Sequence, residues 1–189
     1  MLVHMRKEPA SHRTWLRAAC LRLCRLHFGL LILYGVLVGV YDSAHLMAPD
    51  IIMKRSVTFG ILLVANTALW YAAHKEVQRS SYYKWLIYGV VLIDLVLATV
   101  SVYTDRGVAS RDVALFALPI ISAAVLVNRS AIYGTAFLSL AAYVAVSMRY
   151  YFLHPNEMLH VEIYGMLVFH SAIFLAVASL LWVVVRARK

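Results

Sequence analysis

The sequence predicts an all-α fold, a polytopic bundle of six transmembrane helices with both termini cytoplasmic. Three observations carry that prediction. Hydrophobic residues make up 63% of the 189 in the chain, against roughly 45–50% in soluble domains. Six apolar runs, the fourth of them short, read as crossings of a hydrocarbon core about 30 Å thick, for which about 17 to 25 residues of helix suffice. Lysine and arginine, finally, divide unequally between the two sides of the membrane that those runs define. With only 14% of residues charged, the composition also excludes intrinsic disorder, which needs low hydrophobicity and high charge.

Residues 1–27 read as a basic cytoplasmic segment. Within it Trp15, Leu16, Ala19, Leu23 and Leu26 share one broad helical face, with Arg13, Arg17 and Arg25 elsewhere. The pattern fits a helix lying on the anionic inner leaflet, and equally a cytoplasmic extension of the first spanning helix. Residues 28–185 are the transmembrane domain, with spans at Phe28 to Leu46, Val57 to Ala73, Trp85 to Tyr103, Val113 to Val127, Ala131 to Met148 and Ile163 to Val185. The fourth is the shortest. Residues 186–189 form a basic cytoplasmic end. The first run is no signal peptide, because its basic and apolar parts are too long and Tyr41 to His45 offers no small-x-small cleavage site. The connections are short, so an output domain would have to lie outside this stretch of chain.

Of the 18 lysines and arginines, only Lys54, Arg55, Arg106, Arg111 and Arg149 fall on the outer side of this topology. The rest lie inside, and over loops this short the positive-inside rule then orients both termini to the cytoplasm. Trp70, Tyr71, Tyr82, Tyr83, Trp85 and Trp182 fall toward the inner interface and Tyr103, Tyr150, Tyr151 and Tyr164 toward the outer one, as aromatic belts do. The net charge of +9 does not indicate nucleic acid, since the basic residues sit between apolar runs and form no base-reading face. The lipid bilayer is the partner this composition implies.

An ionisable group inside a membrane costs about 2.5–3.5 kcal/mol on insertion scales and is a functional candidate by default. Asp94, near the middle of helix three, is the clearest case. Asn66 in helix two lies at a comparable depth, and Pro119 removes a backbone donor from helix four and frees a carbonyl near Leu115. Asp94 is expected to face the bundle interior, either hydrogen-bonded to Asn66 or Ser122 or serving as a ligand- or proton-sensing group. On the outer side, His170 and His45, with His154, His160, Glu157 and Glu162 near the last loop, could bind a metal ion or titrate in an acid range; a haem between His45 and His170 would need the two imidazoles opposed at one depth. Cys20 and Cys24 are too few and too close for a disulfide framework. They read as reduced, small apolar residues on a helix rather than an acylation or metal site. Gly35 with Gly39, Ala141 with Ala145 and Ala172 with Ala176 repeat the small-xxx-small spacing of close helix packing, expected inside the bundle for at least two of the three pairs. No hydrolase elbow, phosphate loop, kinase signature or zinc-protease motif is present, and the chain is not expected to be an enzyme by itself.

From helix three onward the order of residues resembles a known pattern: Ile93-Asp94-Leu95-Val96-Leu97 continuing to Tyr103, a short polar turn, Leu118-Pro119-Ile120-Ile121-Ser122-Ala123-Ala124, the turn at Asn128-Arg129, an Ala- and Leu-rich fifth helix and a sixth ending in Trp182-Val183-Val184-Val185-Arg186. Over Trp85 to Lys189 this is similar to the six-helix membrane input region of bacterial sensor histidine kinases, including a redox-sensing group thought to bind quinone. The turn before helix four departs from that group, with Gly107-Val108-Ala109-Ser110-Arg111-Asp112 where it carries Gly-Gly and Asn-Pro-Phe. The resemblance implies a sensory module in the bacterial cytoplasmic membrane, working as a homodimer and passing a conformational signal through helix six to a cytoplasmic output domain. Quinone or a metal is the cofactor class it leaves open, with no specific motif selecting either. A small transporter is the rival class, for which a midplane ionisable residue and a discontinuous helix are the expected marks.

Overall fold

A computed structural model describes the backbone of residues 10–105, 107–154 and 160–187 and the side chains of 13–105, 107–154 and 163–187. Among these residues there are six α-helices and no strand: α1 (Ala10–Ser43), α2 (Pro49–His74), α3 (Ser80–Thr104), α4 (Ala117–Ala124), α5 (Arg129–Leu153) and α6 (His160–Ala187). Five of them, α4 excepted, are long and apolar enough to cross a membrane. Their outward residues include Ile32, Val64, Trp85, Phe137 and Phe169, all exposed, an apolar exterior that lipid can solvate and water cannot.

Residues 10–27 are the first part of α1, with no break at the boundary with the first apolar run. The buried positions along α1 are Leu16, Cys20, Leu23, Cys24, His27, Leu31, Tyr34 and Val38, each three or four residues from another of the set, which makes one stripe on a helix. That stripe, rather than the face containing Trp15 and Leu26, which are exposed, packs on Ala73 of α2 and on Tyr83, Ile87 and Val90 of α3. The segment 13–27 therefore packs against α2 and α3 along this stripe and leaves Trp15 and Leu26 exposed. Arg17 fastens it further: its guanidinium donates to the Ala73 and His74 carbonyls and pairs with Glu76 at 2.6 Å.

Local rules account for most helix ends. Pro49 opens α2 in the first turn, where its missing N–H costs nothing, with Asp50 beside the positive end of the helix dipole. Asn128 caps α5 by accepting from the Ser130 N–H at 3.0 Å. Gly35 lets α1 approach α2, since a Cβ there would lie 3.0 Å from the Phe59 ring. Gly39 meets nothing, and Ala141, Ala145, Ala172 and Ala176 are all exposed. Internal packing thus uses one member of one small-xxx-small pair. Expecting two pairs inside was wrong, because lipid accepts a small residue as readily as a helix does.

The fourth apolar run is not the single helix Val113 to Val127 that its hydropathy suggests. A 3-10 turn at Gly107–Ala109 and a 3-10 helix at Arg111–Phe116 precede α4, which ends at Ala124. Pro119 is the third residue of α4, so its lost donor falls among those the first turn leaves unpaired anyway. The Leu115 carbonyl is not left free, since it accepts from the Ala117 N–H. The Arg149 guanidinium at the end of α5 lies 5.7 Å from the Tyr103 ring at the end of α3. The two helices therefore run the same way, and residues 107–124 must return along the bundle between them. A 3-10 helix rises about 2.0 Å per residue against 1.5 Å in an α-helix, so residues 111–124 span roughly 24 Å. At the near end of this segment Gly107 has φ +61°, and any Cβ there would collide with Tyr150 at 2.8 Å; glycine is required on both counts.

Three apolar clusters fill the interior: one among α3, α4, α5 and α6 around Phe116, Tyr143 and Phe174; one between the first half of α1 and α2 and α3; and one between the second half of α1 and the same two helices. Helix α3 contributes to all three.

Candidate functional site

The deepest polar group is built on three helices. Asp94, ten residues before the end of α3 and so about 15 Å along it, is 1% exposed. His27 Nε2 of α1 lies 3.1 Å from Asp94 Oδ1, and Ser122 Oγ of α4 donates to Oδ2 at 2.7 Å. A lone buried carboxylate would be costly; here both oxygens have partners. Two proton arrangements leave the pair electrically balanced, imidazolium with carboxylate or imidazole with carboxylic acid, so this junction can relocate a proton without acquiring net charge. Its connectivity is not that of a catalytic triad, which places histidine between the serine and the acid. Here Asp94 is the central member, and Ser122 donates to the carboxylate rather than to the imidazole.

Asn66 does not reach Asp94. Its Nδ2 donates to the Cys24 carbonyl of α1 at 3.1 Å, and its Oδ1 has no partner. It ties α2 to α1 one turn before His27. Cys20 and Cys24 are free thiols buried completely in the α1 stripe.

A second polar site lies where the α1–α2 turn meets the α3–α4 connection. Arg55, one and a half turns into α2, is buried to 3% exposure. Its Nε donates to Thr104 Oγ1 at 3.0 Å, while Nη2 is 3.5 Å from both the Ser101 carbonyl and Asp112 Oδ2. Asp105 Oδ2 closes the loop by accepting from Ser110 Oγ at 2.9 Å and from the Arg111 N–H at 3.2 Å. Burial pushes the Asp112 carboxyl above its ordinary value, against the pull of Arg55 and with a smaller push from Asp105. The site opens into a cleft of about 260 Å³ lined by Arg55, Arg111, Asp105, Asp112 and Tyr41. A larger cleft of about 710 Å³ adjoins it, sharing Leu46, Met47, Asp105 and Ala109.

The histidines are dispersed. His170 of α6 lies with Nδ1 2.9 Å from both Tyr143 Oη of α5 and the Met166 carbonyl. His45 is exposed in the α1–α2 turn with φ 52°, and His154 stacks on Tyr150 at 4.3 Å. The structure thus gives His45 and His170 different surroundings and no shared site. Among the described residues no three His, Cys, Asp or Glu side chains gather as metal ligands. Glu157 and the side chains of His160 and Glu162 lie outside the described residues.

Sequence reasoning missed His27, Arg55 and Asp112. His27 was legible: it falls in register with Leu16, Cys20, Leu23, Leu31 and Tyr34, and a polar residue on an otherwise apolar stripe is a buried group needing a partner. Arg55 was counted as a loop charge because the second span was started at Val57. No family model matches the chain, and no curated protein or solved structure matches it significantly.

Proposed function

We propose that this chain is a membrane-embedded sensory input module of the two-component type, with six crossings and both termini on the cytoplasmic side of a bacterial inner membrane. One observation carries the reading. Helix α4 holds the Asp94 carboxylate through Ser122 and is packed, through Ile120 and through Phe116 at the end of the 3-10 helix that leads into it, in the same core as Phe174 and Ala178 of α6. A change in the charge or hydrogen bonding of the His27–Asp94–Ser122 junction moves α4, and α4 bears on α6. At 28 residues α6 is about 42 Å long, against a hydrocarbon core of about 30 Å, and its helix continues through Arg186 without a Gly or Pro stop. It is a rod able to carry a small shift or rotation out of the bilayer, to the output domain and homodimer partner that the kinase resemblance implies.

The Lys/Arg asymmetry supports the orientation, strengthened by the burial of Arg55, which removes one of the five outer charges from the loops. The fourth crossing is the composite segment ending in α4. Single cysteines at Gln78 and Ala109, both exposed, in a chain lacking Cys20 and Cys24, are labelled from opposite sides; labelling from one side overturns the topology. The signalling claim is tested, in the chain lacking Cys20 and Cys24, with a short bis-maleimide crosslink between cysteines replacing Tyr133 of α5 and Ser179 of α6, which face each other across the two helices with their hydroxyls 3.2 Å apart. In native membranes Asp94→Asn should change the rate of that crosslink. An unchanged rate, together with Asp94-dependent solute flux in proteoliposomes, would overturn the sensor in favour of the transporter, which the buried ionisable pair at mid-depth also suits.

A further inference from the structure

Arg55 is the least satisfied charge in the interior. Its side chain is 4% exposed, yet it makes one close hydrogen bond, to Thr104, and two contacts at the 3.5 Å limit. Only Nε and Nη2 engage a described residue; a guanidinium has five N–H donors in a fork matched to a carboxylate. A buried cation so loosely paired is costly, and this one lines a cleft rather than closed packing. The same wall carries the exposed Arg111 and the acids Asp105 and Asp112. A dianion would meet those two carboxylates, and a simple amine would meet both guanidiniums. A molecule bearing both charges meets each with its opposite.

We propose that the cleft between the α1–α2 turn and the α3–α4 connection binds a small zwitterion with the carboxylate and ammonium groups of a free amino acid. Arg55 and Arg111 hold the carboxylate, Asp112 and the free oxygen of Asp105 hold the ammonium, and the side chain extends into the larger cleft toward Tyr103. The ligand would join α2 to the connection that runs directly into α4, so occupancy and the Asp94 junction act on one element. This names the class of stimulus for the sensory reading and rests on that reading only for the word stimulus.

The test is calorimetric titration of the full chain in lipid nanodiscs with each of the twenty standard amino acids, the Ala-Ala dipeptide, acetate, ethylammonium and succinate. At least one amino acid should bind saturably, with acetate, ethylammonium and succinate each tenfold weaker or more. Tighter binding of the dipeptide would overturn the free amino acid. Arg55→Lys should weaken the bound amino acid by tenfold or more. Because that variant alters a buried site, Arg111→Gln on the exposed wall is the second arm, expected to weaken binding several-fold with an unchanged circular dichroism spectrum. No saturable binding by any amino acid, equal binding of acetate, or full affinity in both variants would overturn the proposal. Binding without any change in the Tyr133–Ser179 crosslink would leave the site standing and defeat the sensory reading. A crosslink that responds to Asp94→Asn in a chain that binds no zwitterion would do the reverse.

Discussion

Helices α3 and α6 are matched in length and apolar character, yet 56% of the most apolar window of α3 is buried and only 11% of that of α6. One is the hub of the bundle and the other is docked along its rim by Ile163, Leu167, Phe174 and Ala178, a single stripe. In water such a difference would be written in polarity. In lipid it is not, because hydrocarbon is as apolar as leucine and there is no hydrophobic gain on bringing helices together. What marks the hub is its polar cargo: Asp94 and Ser101 are buried on α3. The described part of α6 buries no polar side chain so deeply, and His170 is only half-buried.

The largest expected effect is at the hub. Asp94→Leu leaves His27 buried without its partner and should cost about 3–5 kcal/mol, the toll of breaking a buried pair, seen as a lowered unfolding midpoint in mild detergent. The double variant with His27→Leu should recover much of it, as residues that share an interaction are not additive. A loss equal to the sum of the two single variants would show that the pair does not hold α1 to α3. The rim is probed by two phenylalanines on α6. Phe174→Ala opens a cavity beside Phe116 and Tyr143, whose ring centroids are 6.0 and 5.8 Å away, and should cost about 3 kcal/mol. Phe169→Ala, exposed on the same helix, should stay within about 0.5 kcal/mol. Equal losses would mean that the outer face of α6 is covered.

The smallest effect lies just beyond the end of the hub and is one of pH. The folded value of the Asp112 carboxyl is raised above 3.8, by burial first, with Arg55 opposing and Asp105 adding. A raised folded value means that the stabilising contribution is present at low pH and is lost as pH rises through that value. As pH rises from 3.8 through the folded value, wild type should lose stability relative to Asp112→Asn, by thermal unfolding at a series of pH values. A constant difference would show that the connection does not sense its own acid.

The hub and rim explain what the sequence could reveal. The five long helices were legible because 20-residue apolar runs have few other uses, and Asp94 because a charge at mid-depth is costly. The composite fourth segment was not: hydropathy records how apolar a stretch is and is blind to whether it rises 1.5 or 2.0 Å per residue. The start of the second helix was drawn too late because Lys54 and Arg55 were taken as loop charges, whereas each finds an acid nearby, Asp50 and Asp112, and so stays within the helix. Partner choice was the hardest to read. Asp94 takes Ser122 and His27 rather than Asn66, a matter of which helices touch, and stripes with equal apolar content on all sides do not say.

The brevity of α4 bears on how the chain is made. A segment of eight α-helical residues, preceded by six in a 3-10 helix, is below the length at which a helix partitions into lipid unaided, and its Ser122 hydroxyl, buried against Asp94 in the bundle, would have no partner in hydrocarbon alone. During synthesis it follows α3, which already carries Asp94, and precedes α5. Its place is therefore a matter of company: α4 is held as the passenger of its neighbours, by the hydrogen bond from Ser122 to Asp94 and by the core it shares with α5 and α6.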